Sequence, residues 1–203
     1  MCEQCTQDVK QLGGDVDYLG RVVNARFEKI SYDEALDLLN KGKKKYRCGS
    51  DLNITEERII LRYFGNTPTF VTRFPASIKF FNMKRTQDGQ RVYSVDLLMP
   101  TLGETAGGGV REEDGEVIKQ QLRESQVAEY LKREAIKMAK KRDKKRAVKF
   151  DPVTQFSDYF NMLKQVEPVL RGGYGIGFER FVGFLLGSND ILKTVAYRTA
   201  QPQ

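Results

Sequence analysis

The apolar positions of this chain follow a helical period first, a strand period next and a helical period again. Residues 1–25 have mixed polarity and read as a helical lead-in. In SYDEALDLLNKG, which begins at Ser31, the residues Ala35, Leu36, Leu38 and Leu39 form one apolar stripe. Ser31 is a natural cap, Glu34 three residues on completes a capping box, and Gly42 is a natural stop. TEERIILRYFG repeats the logic, with Thr55 as cap, acids in the first turn and Gly65 as stop.

After Gly65 the period shortens. PTFVTRFP and SIKFFNMKR are short, β-branched and aromatic, and QDGQ supplies a turn. RVYSVDLLMP is a near-continuous apolar run that fits a central strand, and GETAGGGVREE follows as a glycine-rich one. Together they predict an antiparallel sheet of hairpin-connected strands. GEVIKQQLRESQVAEYLKREAIKMAKKRDKKRAVKF then predicts one long helix with Ile118, Leu122, Tyr130, Leu131 and Ile136 on its apolar face. DPVTQFSDYFNMLKQ predicts a further helix, and it leads into RGGYGIGFERFVGFLLG, a strand that enters a last helix. Helices and strands are grouped rather than alternating, so the class is α+β, an antiparallel sheet flanked by helices, with no internal repeat.

Composition narrows the function classes. The chain has 203 residues, with 40% hydrophobic and 30% charged, as in a soluble globular protein of one sizeable core. No apolar run is long enough to span a bilayer, and Glu3, Asp8 and Lys10 break any leader-like pattern, so a cytoplasmic protein without a membrane partner is expected. Cys2 and Cys5 have the C-x-x-C spacing. With no histidine and one other cysteine, Cys48, a four-ligand zinc site is not expected, and Ser–His or Cys–His catalysis within the chain is excluded. The net charge of +7 favours a polyanionic partner, but it is concentrated locally. Residues 132–149 are dense in lysine and arginine, with only Glu134 and Asp143 opposing. This run is either a solvated helix end or an arm for RNA phosphates through Lys140, Lys141, Arg142, Lys144, Lys145 and Arg146.

The candidate chemistry lies in two glycine-rich strands. Gly173-x-Gly175-x-Gly177 is neither a dinucleotide fingerprint nor a Walker loop. In a strand these glycines share one face and Tyr174, Ile176 and Phe178 the other, so the apolar face is expected to be buried and a flat ligand can lie on bare backbone. Arg180, after Glu179 in the first turn of the next helix, stands at the end of that floor, where a planar guanidinium suits a phosphate; the alternative is a closely packed helix with Glu179 and Arg180 solvated. In VDLLMPTLGETAGGGVREE, Asp96 and Glu104 are a carboxylate pair of the kind that holds Mg2+ with substrate phosphates, and Arg111 can hold a carboxylate. A regular strand puts Glu104 and Arg111 on opposite faces. A bulge within Gly107-Gly108-Gly109 would reverse that.

SVDLLMPTLGETAGGGVREED and GGYGIGFERFVGFLLGSNDI together resemble class II aminoacyl-tRNA synthetases of the aspartyl/asparaginyl subgroup, most closely asparaginyl-tRNA synthetases. FEKISYDEALDLL and FVTRFPASIKFFNMK have counterparts there in the same order, so the resemblance covers nearly the whole chain except the basic stretch around 132–150, and it implies one partial catalytic domain over residues 1–203 with a basic helical insertion at about 130–150. It implies ATP and Mg2+ as cofactors, an amino acid and tRNA as substrates, and a homodimer in the full-length family. Carried over by position, it implies that Arg180 grips the γ-phosphate. Gly175 and Gly177, with Phe178 and Glu179, form the ATP floor. Glu104 and Asp96 bind the metal, and Gly107 and Arg111 face the amino acid.

The chain opens after the point where the family carries its first and second motifs, so it is expected not to activate amino acid by itself. Arg171 replaces the family's usual histidine, Asn82 an aromatic residue, and 196–199 its closing PFPR. Two alternatives stay open. One is a paralogue that makes asparagine from aspartate, and the other is a non-catalytic RNA-binding or assembly module.

Overall fold

The computed structural model describes residues 2–42, 44–142 and 150–197, with side chains described from Cys5 on and not at 139–142. The chain divides into two compact units. The first comprises Met1–Phe74, Ser94–Gly108 and Tyr174–Gln203, and the second Pro75–Tyr93 and Gly109–Gly173.

In the first unit, the lead-in is two helices, α1 (Cys2–Gln11) and α2 (Val16–Asn24). Strand β1 (Glu28–Ser31) runs directly into α3 (Tyr32–Asn40), and α4 (Ile54–Tyr63) leads to β2 (Thr69–Thr72). Strand β3 (Ser94–Met99) turns back through residues 100–102 into β4 (Gly103–Arg111), and β5 (Arg171–Ile176) runs into α8 (Phe178–Leu185). The strand order is β1-β2-β3-β4-β5. β2 and β3 are antiparallel, with Val71 opposite Asp96, while β1 and β2 are parallel, with Ile30 opposite Val71. The sheet is therefore mixed, a correction to the antiparallel sheet expected. Its physical source is the pair of helices between β1 and β2, because only a crossover of that length brings a strand back parallel.

The caps follow sequence chemistry with one exception. Ser31 caps α3, and its capping box with Glu34 is closed in both directions. Helix α4 is capped by Asn53 and not by Thr55, whose own amide the Asn53 side chain accepts at 2.9 Å. Glu56 returns to the Asn53 amide at 3.1 Å and completes the box. Leu19, Val22, Met99 and Phe184 form one core cluster of this unit. Among the described residues, no helix is long and apolar enough to cross a membrane.

The second unit is built on α5 (Gly115–Glu124), α6 (Gln126–Arg142) and α7 (Ser157–Lys164), packed around Phe81, Ile118, Leu122 and Phe160. The single long helix expected from residue 115 is two. Ser125 takes an extended conformation, and its hydroxyl accepts the Ala128 amide at 3.2 Å, so it caps α6. Tyr130, expected on the apolar face, is exposed. SIKFFNMKR is not a strand; among the described residues it makes only isolated bridges, Met83 to Arg111 and Arg85 to Val92, and Phe81 plugs the core.

Candidate functional site

The site in the first unit begins at the tight turn between β3 and β4. Thr101 and Gly103 both have positive φ, 83° and 74°. Along β4 the burial alternates through Thr105, then slips: Ala106 and Gly107 are both half-buried, and Gly108 is buried. The slip falls at the leading edge of the Gly107-Gly108-Gly109 run, which has room for a bulge. Its consequence is visible in the side chains. A Cβ on Gly107 would lie 2.6 Å from Glu104 Oε1 and 3.2 Å from Asp96 Oδ1. Glu104 therefore reaches the bare face of a residue three positions on, which a regular strand forbids. Asp96, buried on β3, joins it there.

The second wall comes from β5 and α8. The Gly177 amide donates to the Thr105 carbonyl at 2.8 Å, which ties the start of α8 to β4. Arg180 stands in the first turn of α8, and its Nη1 donates to the main-chain carbonyl of Glu104. A Cβ on Gly177 would meet the Arg180 side chain at 3.5 Å, whereas one on Gly175 would meet nothing within 4 Å, so the floor at Gly175 is open backbone. Glu179 is half-buried, and its carbonyl accepts from Thr194 at 2.8 Å. The opposite face of β5 corrects an expectation. Tyr174, Ile176 and Phe178 are 79%, 57% and 69% exposed rather than buried. β5 ends the strand order, so its outer edge pairs with no further strand among the described residues.

Glu57 of α4 is the site residue that sequence reasoning missed. It is buried, and its Oε2 accepts the Glu104 amide at 2.9 Å. Burial pushes its carboxyl up to about 7; the Glu104 amide opposes that, the Glu104 and Asp96 charges reinforce it, and Arg180 opposes it. In sequence it passes for an ordinary first-turn acid. A signal was nonetheless there: Glu56 alone fills the capping-box position, while Glu57 shares the buried stripe of Ile60 and Leu61 at i+3 and i+4. A carboxylate on an apolar stripe needs a polar reason.

Arg111 belongs to the second unit. Its Nη1 donates to Asn82 Oδ1 at 3.0 Å, and its Nε lies 3.2 Å from where a Cβ on Gly173 would stand, so a side chain there would press on the guanidinium. Of the basic run, Lys140, Lys141 and Arg142 fall in α6 with their side chains undescribed, and Lys144, Lys145 and Arg146 lie outside the described residues.

The structure thus brings Asp96, Glu104, Gly107, Gly177 and Arg180 together, and adds Glu57. Two carboxylates over a bare glycine, with an arginine beside them, form a donor set that fits Mg2+ carrying substrate phosphates, since Mg2+ takes one or two carboxylates and fills its remaining positions from phosphate and water.

Residues 1–201 match the family model of tRNA synthetases class II (D, K and N). The asparagine–tRNA ligase of Solibacter usitatus is 30% identical over 93% of this chain and 40% of its own length. The Homo sapiens asparaginyl-tRNA synthetase is 28% identical over 96% of this chain and 38% of its own length. The crystal structure of asparaginyl-tRNA synthetase from Pyrococcus horikoshii, complexed with asparaginyl-adenylate, superposes with a TM-score of 0.72 at 27% identity, over 94% of this chain and 38% of that one. The chain spans about two fifths of the length of the curated relatives it matches.

Proposed function

The chain belongs to the class II tRNA synthetases of the D, K and N type, and from that premise we propose that it corresponds to the C-terminal catalytic portion of an asparagine–tRNA ligase. The reaction joins asparagine to the AMP part of ATP as an adenylate with release of pyrophosphate, then passes the asparaginyl group to tRNA with release of AMP. One observation carries the reading: the carboxylates of Asp96 and Glu104 meet at the bare face of Gly107, with Arg180 held against the same residue, Glu104.

Asp96 and Glu104 are the residues that would hold Mg2+, which supplies charge neutralisation of the phosphates when bound. Gly175 and Gly177 offer flat backbone to the adenine, with Phe178 and Glu179 at its edge. Arg180 releases the Glu104 carbonyl and grips the γ-phosphate, where its planar fork matches the phosphate oxygens. Arg111 takes the carboxylate of the amino acid, and its bond to Asn82 fixes the guanidinium plane. The work is positioning and charge stabilisation, and no protein nucleophile takes part.

The test is titration of the chain with Mg2+ and ATP. Arg180→Ala should weaken binding about tenfold or more, the scale of one charged hydrogen bond; unchanged affinity would remove the phosphate role. The 203-residue chain by itself should show no asparagine-dependent ATP–pyrophosphate exchange, because it spans only about two fifths of the length of its relatives and losing even one contact to the transition state costs about 3 kcal/mol. Exchange by the purified chain would overturn that expectation.

A further inference from the structure

Glu57 is a carboxylate that packing alone does not explain. It is 6% exposed and shares a stripe with Ile60 and Leu61. Two further negative groups, Glu104 and Asp96, act on it through space. An apolar side chain of the same length would fill this place without burying an ionisable group. Nor is Glu57 used in capping, since Glu56 closes that box.

Among the described residues its carboxylate accepts one hydrogen bond, from the Glu104 amide. The carbonyl of the same residue accepts from Arg180. The main chain of Glu104 is therefore gripped on both sides by side chains, Glu57 from α4 and Arg180 from α8. The approach of Glu57 is built into the turn: Gly103 has φ +74°, and a Cβ there would overlap Glu57 Oε2. Next to it, Arg58 Nη2 donates to the Thr101 carbonyl at 3.0 Å, so α4 is fastened to the turn that starts β4.

We infer that Glu57 is a positioning residue for the cation site: it fixes the Glu104 peptide and so aims the Glu104 carboxylate at Asp96 and the bare face of Gly107. The inference rests on the reading of Asp96 and Glu104 as a cation site. It makes Glu57 most important when ATP binds, because Arg180 then turns to the phosphate and leaves Glu57 as the remaining one of the two anchors. Partners that orient a metal-ligating carboxylate typically contribute ten- to hundredfold to metal affinity.

The experiment uses the 203-residue chain with Mn2+ and ATP as the probe, and reads three things: affinity, melting temperature, and hydrogen exchange of the Glu104 amide. Glu57→Met keeps the length, removes the acceptor and removes the buried charge, so it should fold. It should lose protection of the Glu104 amide and bind Mn2+–ATP about tenfold more weakly, while its melting temperature falls only by the few degrees that one unmade hydrogen bond costs. Glu57→Gln keeps an acceptor oxygen and should stay within about twofold of the parent in affinity. A merely structural residue would lower the melting temperature and leave the Mn2+–ATP affinity of the folded chain unchanged. Lost amide protection in Glu57→Met with unchanged Mn2+–ATP affinity overturns the positioning role and leaves the cation site standing. Equal loss in Glu57→Gln and Glu57→Met overturns it as well, because charge and not the hydrogen bond would then matter. If Glu104→Gln binds Mn2+–ATP as tightly as the parent, the cation-site reading itself fails, and the inference with it.

Discussion

Thr101 shows how a single residue can sit against its own backbone preference. It follows Pro100 in the β3–β4 turn and takes φ +83°, a region costly for a β-branched side chain. Its hydroxyl is also buried without a hydrogen-bond partner. Thr101→Gly should remove both penalties and stabilise the chain by about 1 kcal/mol after glycine's own entropy cost. A shift of the urea midpoint at unchanged slope would report it, and a lower midpoint would show that the threonine is doing something the geometry does not reveal. Glu57 gives a prediction of opposite kind. Its carboxyl titrates near 7 in the folded chain against an ordinary value of 4.5. Between those values the folded chain holds a proton that the unfolded chain has released. The contribution is thus fully present below about 4.5 and lost as pH rises through 7, at most about 3 kcal/mol. Urea unfolding at pH 5 and pH 8 without added cation should show that fall in the parent and a much flatter response in Glu57→Gln. The same pH dependence in both would place the titration elsewhere.

At the scale of elements, the two capping boxes decide where α3 and α4 begin. Asn53→Ala should cost about 1 kcal/mol, whereas Thr55→Ala should change stability by less than about 0.5 kcal/mol. Thermal unfolding of the pair separates the two assignments, and a larger loss at Thr55 would restore it as the cap. Helix α3 was legible in sequence because its cap, stripe and stop agree. Strand β1 was not, because of its four residues only Ile30 is buried, too little for a period of two to register. SIKFFNMKR misled in the other direction: its aromatic residues fit a strand pattern, but Phe81 serves as a plug among α5 and α7. The carboxylate pair and Arg180 were legible from order and spacing. What no alternation rule could supply was the slip in β4, since three successive glycines carry no apolar pattern from which to read a face. Strand β5 failed for a related reason, because alternation assumes that an apolar face is covered, and the face carrying Tyr174 and Ile176 is not.

For the whole molecule, charge is distributed with a consequence for binding. Residues 132–149 hold ten of the 34 lysines and arginines but only two of the 27 acids, so the rest of the chain is close to neutral. An RNA ligand would then be held by this run and by little else, through counterion release rather than by the sheet or its site. If Lys140, Lys141, Arg142, Lys144, Lys145 and Arg146 each meet a phosphate, the logarithm of affinity should fall with the logarithm of salt at a slope of about −4 for a single strand. Glutamine at all six positions should flatten the slope towards zero and leave Mg2+–ATP binding intact, since Asp96, Glu104 and Arg180 belong to the first unit. Fluorescence anisotropy with a labelled RNA from 50 to 300 mM salt (roughly a sixfold range, enough to span several decades of affinity at that slope) makes the comparison. A slope that survives the six substitutions would assign RNA contact to cations other than these six, and one near zero in the parent would make the run a solvated tail.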